Sequence, residues 1–250
     1  MDSTNTFRFD WRIGVLLTFV FGTLIAMFSM SPISQDLSYH SFADQRSLLG
    51  IPHGLDVLSN IPFLLAGLFG VWLVSRPRFH SLPKGWLVLF VGISFVSFGS
   101  SFYHWMPNND SLVWDRLPMT IGFMGLFVAL IGEYVDEGIA RKILIPALAL
   151  GVFSVGYWHF TDDLRLYAWV QIMSLSVIVV FLSIYKSRFT HSWVLLLALG
   201  LYVLAKVTES YDAAIFDLVQ GAISGHSIKH LLAATGCFAI VQYLGKRRPK

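Results

Sequence analysis

The sequence predicts an all-α fold, a polytopic transmembrane helix bundle, on two observations. Of the 250 residues, 55% are hydrophobic and only 13% are charged, about half the charged share of a soluble domain. A surface so poor in charge suits lipid, where a charge costs dehydration and gains nothing. The second observation is eight apolar runs, most of about the 20 residues needed to cross some 30 Å of hydrocarbon. One membrane domain fills the chain.

The runs are 13–30, 57–75, 85–105, 117–134, 142–159, 166–185, 192–209 and 223–245. The first follows Arg8 and Arg12. It reads as an uncleaved helix rather than a secretory signal, being long and followed by Ser29, Ser31 and Pro32, a poor cleavage context. Turn and breaker signals separate later runs: Arg76-Pro77, Leu82-Pro83 and Asn108-Asn109-Asp110. The fourth run is short, bracketed by Arg116 and Glu133, whose charges are expected at the interface. The eighth holds Lys229 near its start. The one cysteine, Cys237, excludes an internal disulfide or cysteine metal site and reads as a small buried apolar residue.

The net charge of +3 would also suit nucleic acid. The basic residues, however, lie in short loops between apolar runs, so no nucleic-acid partner is expected. Eight spans place Arg8, Arg12, Arg76, Arg78, Lys84, Arg141, Lys142, Lys186, Arg188, Lys246, Arg247, Arg248 and Lys250 on one side. Only Arg46, Arg116, Arg165, Lys206 and Lys229 fall on the other. This asymmetry predicts that both termini are cytoplasmic.

Ionisable residues inside spans are costly and so are functional candidates. Alternating topology puts Ser100 and His104 at the outer end of the third run, Asp115 at the mouth of the fourth, and His226 and His230 in the first turns of the eighth. Five residues far apart in sequence thus converge at one depth, near the non-cytoplasmic face. His226 and His230 stand at i, i+4, on one helical face, the spacing by which a helix offers two imidazoles to one zinc. A third histidine, His104, would leave a fourth position for water, as in catalytic zinc sites. Ser100 and His104 share the i, i+4 relation.

The spacing alone is a weak signal. Paired histidines can be ordinary side chains or can ligate haem. Ser100 can simply be a small residue that lets helices approach, and Asp115 can cap the fourth helix. Lys229 sits about 100° around the helix from His230 and reads as snorkelling to the interface. Lys206 and Glu209, at i, i+3, read as a structural pair. His53, His159 and Asp162-Asp163 receive no role.

Ser100-x-x-x-His104, then Asp115, then His226-x-x-x-His230 in the last run, resembles the alkaline ceramidase family. That family belongs to a superfamily of seven-helix membrane hydrolases that includes the adiponectin-receptor-like proteins. Gly99-Ser-Ser-Phe-Tyr-His-Trp105, Asp115-Arg-Leu-Pro-Met119 and Val57-Leu-Ser-Asn-Ile-Pro-Phe63 also look like family sequence. The resemblance spans about Asp44 to Leu244. It implies a seven-helix core over 44–245, an extra N-terminal helix and loop over 1–43, and a basic cytoplasmic tail over 246–250.

The resemblance implies a zinc-dependent hydrolase that cleaves the amide of a membrane lipid, ceramide first, to a sphingoid base and a fatty acid. His104, His226 and His230 would hold Zn2+. Asp115 would act as acid and base, and Ser100 would bond the oxyanion. A Ser100 nucleophile with His104 as base is the rival mechanism, which zinc ligation of His104 excludes. Eukaryotic members bind calcium through an acidic run with Trp, Glu and Asn. Here Asp44-Gln-Arg-Ser-Leu-Leu-Gly-Ile-Pro-His53 lacks that pattern, which leaves calcium a doubtful cofactor. Arg46 is expected to supply fixed positive charge instead, paired with Asp44 or Asp56. Two other classes stay open: a membrane receptor or regulatory protein with a structural zinc site, and a haem-binding electron carrier. The sequence gives no oligomeric state.

Overall fold

A computed structural model describes residues 10–79 and 82–250. Arg8, counted above on the cytoplasmic side, lies outside them. The helices are α1 (Trp11–Phe28), α2 (Gly54–Leu58), α3 (Ile61–Val74), α4 (Gly85–Trp105), α5 (Asn109–Tyr134), α6 (Glu137–Thr161), α7 (Arg165–Ile184), α8 (Val194–Ser210), α9 (Asp212–Leu218) and α10 (Gly225–Lys246). Among the described residues there is no strand, only isolated bridges at Leu48–Ile51 and Phe189–Pro249. With α2 and α3 counted as one span, seven helices are long and apolar enough to cross a membrane. The pair α8 and α9, bent by 80°, makes up to eight. The fold is thus an all-α polytopic bundle.

Several boundaries differ from the sequence expectation for local reasons. The fourth apolar run extends back to Asn109, because Asn108 and Ser111 form a reciprocal capping box. Asp115 therefore lies inside the second turn of α5 and is not its cap. The second run is broken at Ser59-Asn60. Ser59 Oγ and Asn60 Nδ2 both donate to the Asp56 carbonyl, at 2.9 Å each, and Pro62 opens α3, where its missing N–H costs nothing. Asp136 caps α6 and Ser224 caps α10 through their side chains.

Buried residues make up 72% of the α5 span but 6% of α1, which puts α5 at the centre and α1 on the rim. Glycines bring α4 and α5 into backbone contact. A Cβ on Gly92 would meet Gly122 N at 2.6 Å, and one on Gly125 would meet Leu89 N at 2.6 Å. The rim helix α1 is tied to α7. Trp169 Nε1 donates to Thr23 Oγ1 at 3.1 Å, and Arg165 NH1 donates to the Met30 carbonyl at 2.7 Å.

Contacts between loops fix the two ends of the bundle. At one end Arg247 pairs with Glu133 at 2.7 Å, Thr190 N donates to Arg248 O, and Lys250 N donates to Arg188 O. At the other, Gln35 N donates to Asp162, His40 meets Asn109, and Ala43 N donates to Asp212. The latter end holds His104, Asp115, His226 and His230, so the helices alternate as the sequence expected.

Candidate metal centre

His104 closes the last turn of α4, while His226 and His230 lie in the first two turns of α10. Their ring centroids form a nearly equilateral triangle, 4.7, 4.9 and 5.0 Å on a side. One nitrogen from each ring lies within 4.8 Å of the others, and all three residues are buried. Three imidazoles so placed can hold a metal ion.

The surroundings fit such an ion. His104 Nδ1 is buried with no hydrogen-bond partner, an orphaned polar atom of the kind a ligand bond satisfies. His230 Nδ1 lies 2.7 Å from Ser59 Oγ, the outer contact that orients a metal-binding histidine. His226 N donates to Asp212 Oδ1 at 2.7 Å. Phe42, 3% exposed, packs its ring 4.6 Å from His104 and 4.8 Å from His226. The imidazole donor set suits zinc among several divalent metals.

Ser100, Asp115 and His230 share the wall of one cavity of about 510 Å3, within the usual range of ligand pockets. Its apolar length is set by Leu89, Ile93, Leu126, Ile178, Ala198 and Ile240. The cavity thus runs among α4, α5, α7, α8 and α10. From His230 to Ile240 it follows ten residues of α10, about 15 Å of helix. Cys237 lies half-buried on the same wall.

Lys229 departs from expectation. Instead of reaching the interface it lines the cavity, donates to Glu209 Oε1 at 2.5 Å, and lies 3.2 Å from His226 Nε2. Glu209 draws it inward, since a buried carboxylate needs counter-charge. The expected Lys206–Glu209 pair is present but belongs to a larger group. Tyr39 OH also donates to Glu209, at 2.9 Å.

Further residues surround the centre. Arg116, 6% exposed, lies against the rings of Trp158 and Tyr167, at 3.9 and 4.7 Å, and donates to Gln35 Oε1 at 2.6 Å. Ring contacts of this kind offer about 0.5–2 kcal/mol each, against several kcal/mol for burying an ion. Asp56, fully buried, accepts from Ser224 Oγ at 3.0 Å and Ser227 Oγ at 2.6 Å, tying α2 to α10. The sequence offered Asp56 only as a partner for Arg46, beside the Val57–Phe63 string. Arg46 pairs with Asp44 and not with Asp56. Two nitrogens reach the Asp44 carboxylate at 2.6 and 2.8 Å, and these hydrogen bonds hold Asp44 below the usual carboxylate range. His53, in the left-handed region at φ 46°, contacts the His104 carbonyl through Nδ1 at 2.9 Å.

Fold and site define an α-helical polytopic membrane protein with a buried three-histidine group that can hold a metal ion. No family model matches the sequence, and no curated protein matches it.

Proposed function

We propose that this chain is a zinc-dependent membrane amidohydrolase that cleaves the amide of a lipid, with ceramide the first candidate. The observation that carries the reading is the shared wall. A histidine of the metal-competent triad, a serine and a buried aspartate border one cavity that continues between apolar side chains such as Leu89, Ile93, Leu126, Ile178 and Ile240. An acyl chain fits the apolar length, and its polar linkage then reaches the residues at the helix ends.

His104, His226 and His230 would hold the zinc ion, which when bound supplies a Lewis acid and lowers the pKa of water to about 7. Asp115 takes the proton of the attacking water and delivers it to the leaving amine. Ser100 donates a hydrogen bond to the developing oxyanion. Phe42 keeps bulk water from the triad, which strengthens every charge interaction there. The resemblance to alkaline ceramidases supports the same assignment. The asymmetry of Lys and Arg supports cytoplasmic termini and a site facing the other side.

Metal analysis of the purified protein, paired with hydrolysis of a panel of lipid amides, tests the proposal. Stoichiometric zinc with turnover, both lost in His226→Ala, is the expected result. Zinc without hydrolysis of any lipid amide would favour the receptor reading. A Soret band without zinc would favour the haem carrier.

A further inference from the structure

Arg116 follows Asp115 on α5 and lines the same cavity. A guanidinium carries five N–H donors. Here the hydrogen bond it makes is to the neutral amide of Gln35, and NH1 is buried with no partner. The other cations near this end are matched: Lys206 and Lys229 with Glu209, Arg46 with Asp44, Arg165 with Asp163. Among the described residues no ion pair includes Arg116, although Asp115 and Asp36 border the same cavity. A nine-tenths buried arginine at the wall of a lipid-sized cavity therefore lacks a counter-charge of its own.

We infer that Arg116 reads an anionic oxygen group, carboxylate or phosphate, on the headgroup of the lipid, so that the preferred substrate is an anionic N-acyl lipid rather than a neutral one. This rests on the amidohydrolase reading but departs from its first candidate: ceramide is neutral, and an anionic N-acyl lipid takes its place as preferred substrate. The planar fork of a guanidinium matches both oxyanions, with two parallel hydrogen bonds. Gln35 and the two aromatic rings hold that fork in place before the ligand arrives. The long-chain carboxylate released by hydrolysis offers the same chemistry from a second source, and the two are separable.

The test compares N-dodecanoylglycine with N-dodecanoylethanolamine, which share an acyl chain and differ in headgroup charge, using the full-length protein in detergent. Wild type is expected to favour the glycine conjugate by about tenfold or more in kcat/KM, as a charge-assisted hydrogen bond allows. Arg116→Gln should bring the ratio near one, and Arg116→Lys should keep part of it. A wild-type ratio near one overturns the inference, and so does an unchanged ratio in a folded Arg116→Gln protein. Inhibition by dodecanoic acid separates the sources: if Arg116→Gln relieves it yet leaves the substrate ratio intact, Arg116 reads the product and the inference fails. If neither amide is cleaved, the hydrolase reading is decided by the wider panel of lipid amides, and calorimetric binding of the same pair decides the role of Arg116. Tighter binding of the anionic member by about tenfold, lost in Arg116→Gln, upholds Arg116 as the reader, and equal binding overturns it. Should Arg116→Gln not fold, the wild-type preference and the Arg116→Lys ratio carry the decision.

Discussion

Ser59 Oγ lies 2.7 Å from His230 Nδ1 and 2.9 Å from the Asp56 carbonyl. A hydroxyl has one proton. Given to the carbonyl, it leaves the Ser59 oxygen to accept from Nδ1–H, and the Nε2 lone pair of His230 stays free for a metal. The turn between α2 and α3 thus sets the tautomer of a histidine on α10. Ser59→Ala is expected to weaken metal affinity about 10- to 100-fold without displacing the histidines. Competition with a chelator of known affinity measures this, and an unchanged affinity would remove Ser59 from the metal's support.

Asp115→Asn should keep the metal and lose about 100- to 10,000-fold in turnover, the usual scale of general acid–base catalysis. Bound zinc measured beside the hydrolysis rate separates the two effects. Near-normal turnover would take Asp115 out of the mechanism.

Glu209 stands between two ammonium groups, with the Lys229 side chain only 16% exposed. Glu209→Gln leaves Lys229 buried without its counter-charge, at a cost of about 3 kcal/mol or more. Adding Lys229→Met should restore most of that stability. Thermal unfolding in detergent gives both values; a double variant no better than the single would show that packing, not charge, holds this end.

At Gly92 and Gly125 the contact between α4 and α5 tolerates no added side chain. Gly125→Leu should abolish folded protein, since even its Cβ would sit 2.6 Å from Leu89 N. Gly156→Ala, with nothing within 4 Å, should gain up to about 1 kcal/mol from helix propensity. Yield of monodisperse protein on gel filtration distinguishes these outcomes.

Asp163 lies between α6 and α7, where hydrogen bonds from Arg165 hold its carboxyl down at about 2. A carboxylate depressed in the folded state stabilises above its ordinary pKa, near 4, and loses that contribution as pH falls through the folded value. Arg165 also holds the Met30 carbonyl after α1. Pepsin cleavage between residues 29 and 36 should therefore rise as pH falls from about 4 to 2, relative to Asp163→Asn, in which cleavage starts high. Parallel pH profiles for the two proteins would contradict this.

Much of this was legible in the sequence, because run length and run order decide which residues share a depth. His104, His226 and His230 needed only helical spacing and alternating topology to meet. Asp115 was harder. Its place inside α5 depends on the Asn108–Ser111 box, which lies among polar residues outside the apolar run. Lys229 turned the other way from expectation because its partner, Glu209, is on another helix. Arg116 is inward through Trp158 and Tyr167, contributed by α6 and α7, and no local pattern reports that. The 80° bend at Tyr211 has no proline or glycine to announce it.

Phe42 closes the triad from the loop side, and that loop is anchored where Ala43 N donates to Asp212 Oδ2 at 2.9 Å. An ion seated among the three histidines has this ring against two of its three ligands, so leaving on the loop side requires the ring to move. Release on that side would then be limited by the opening rate of a short stretch of backbone. Stripping should follow first-order kinetics whose rate does not change with chelator concentration, and Phe42→Ala should speed it.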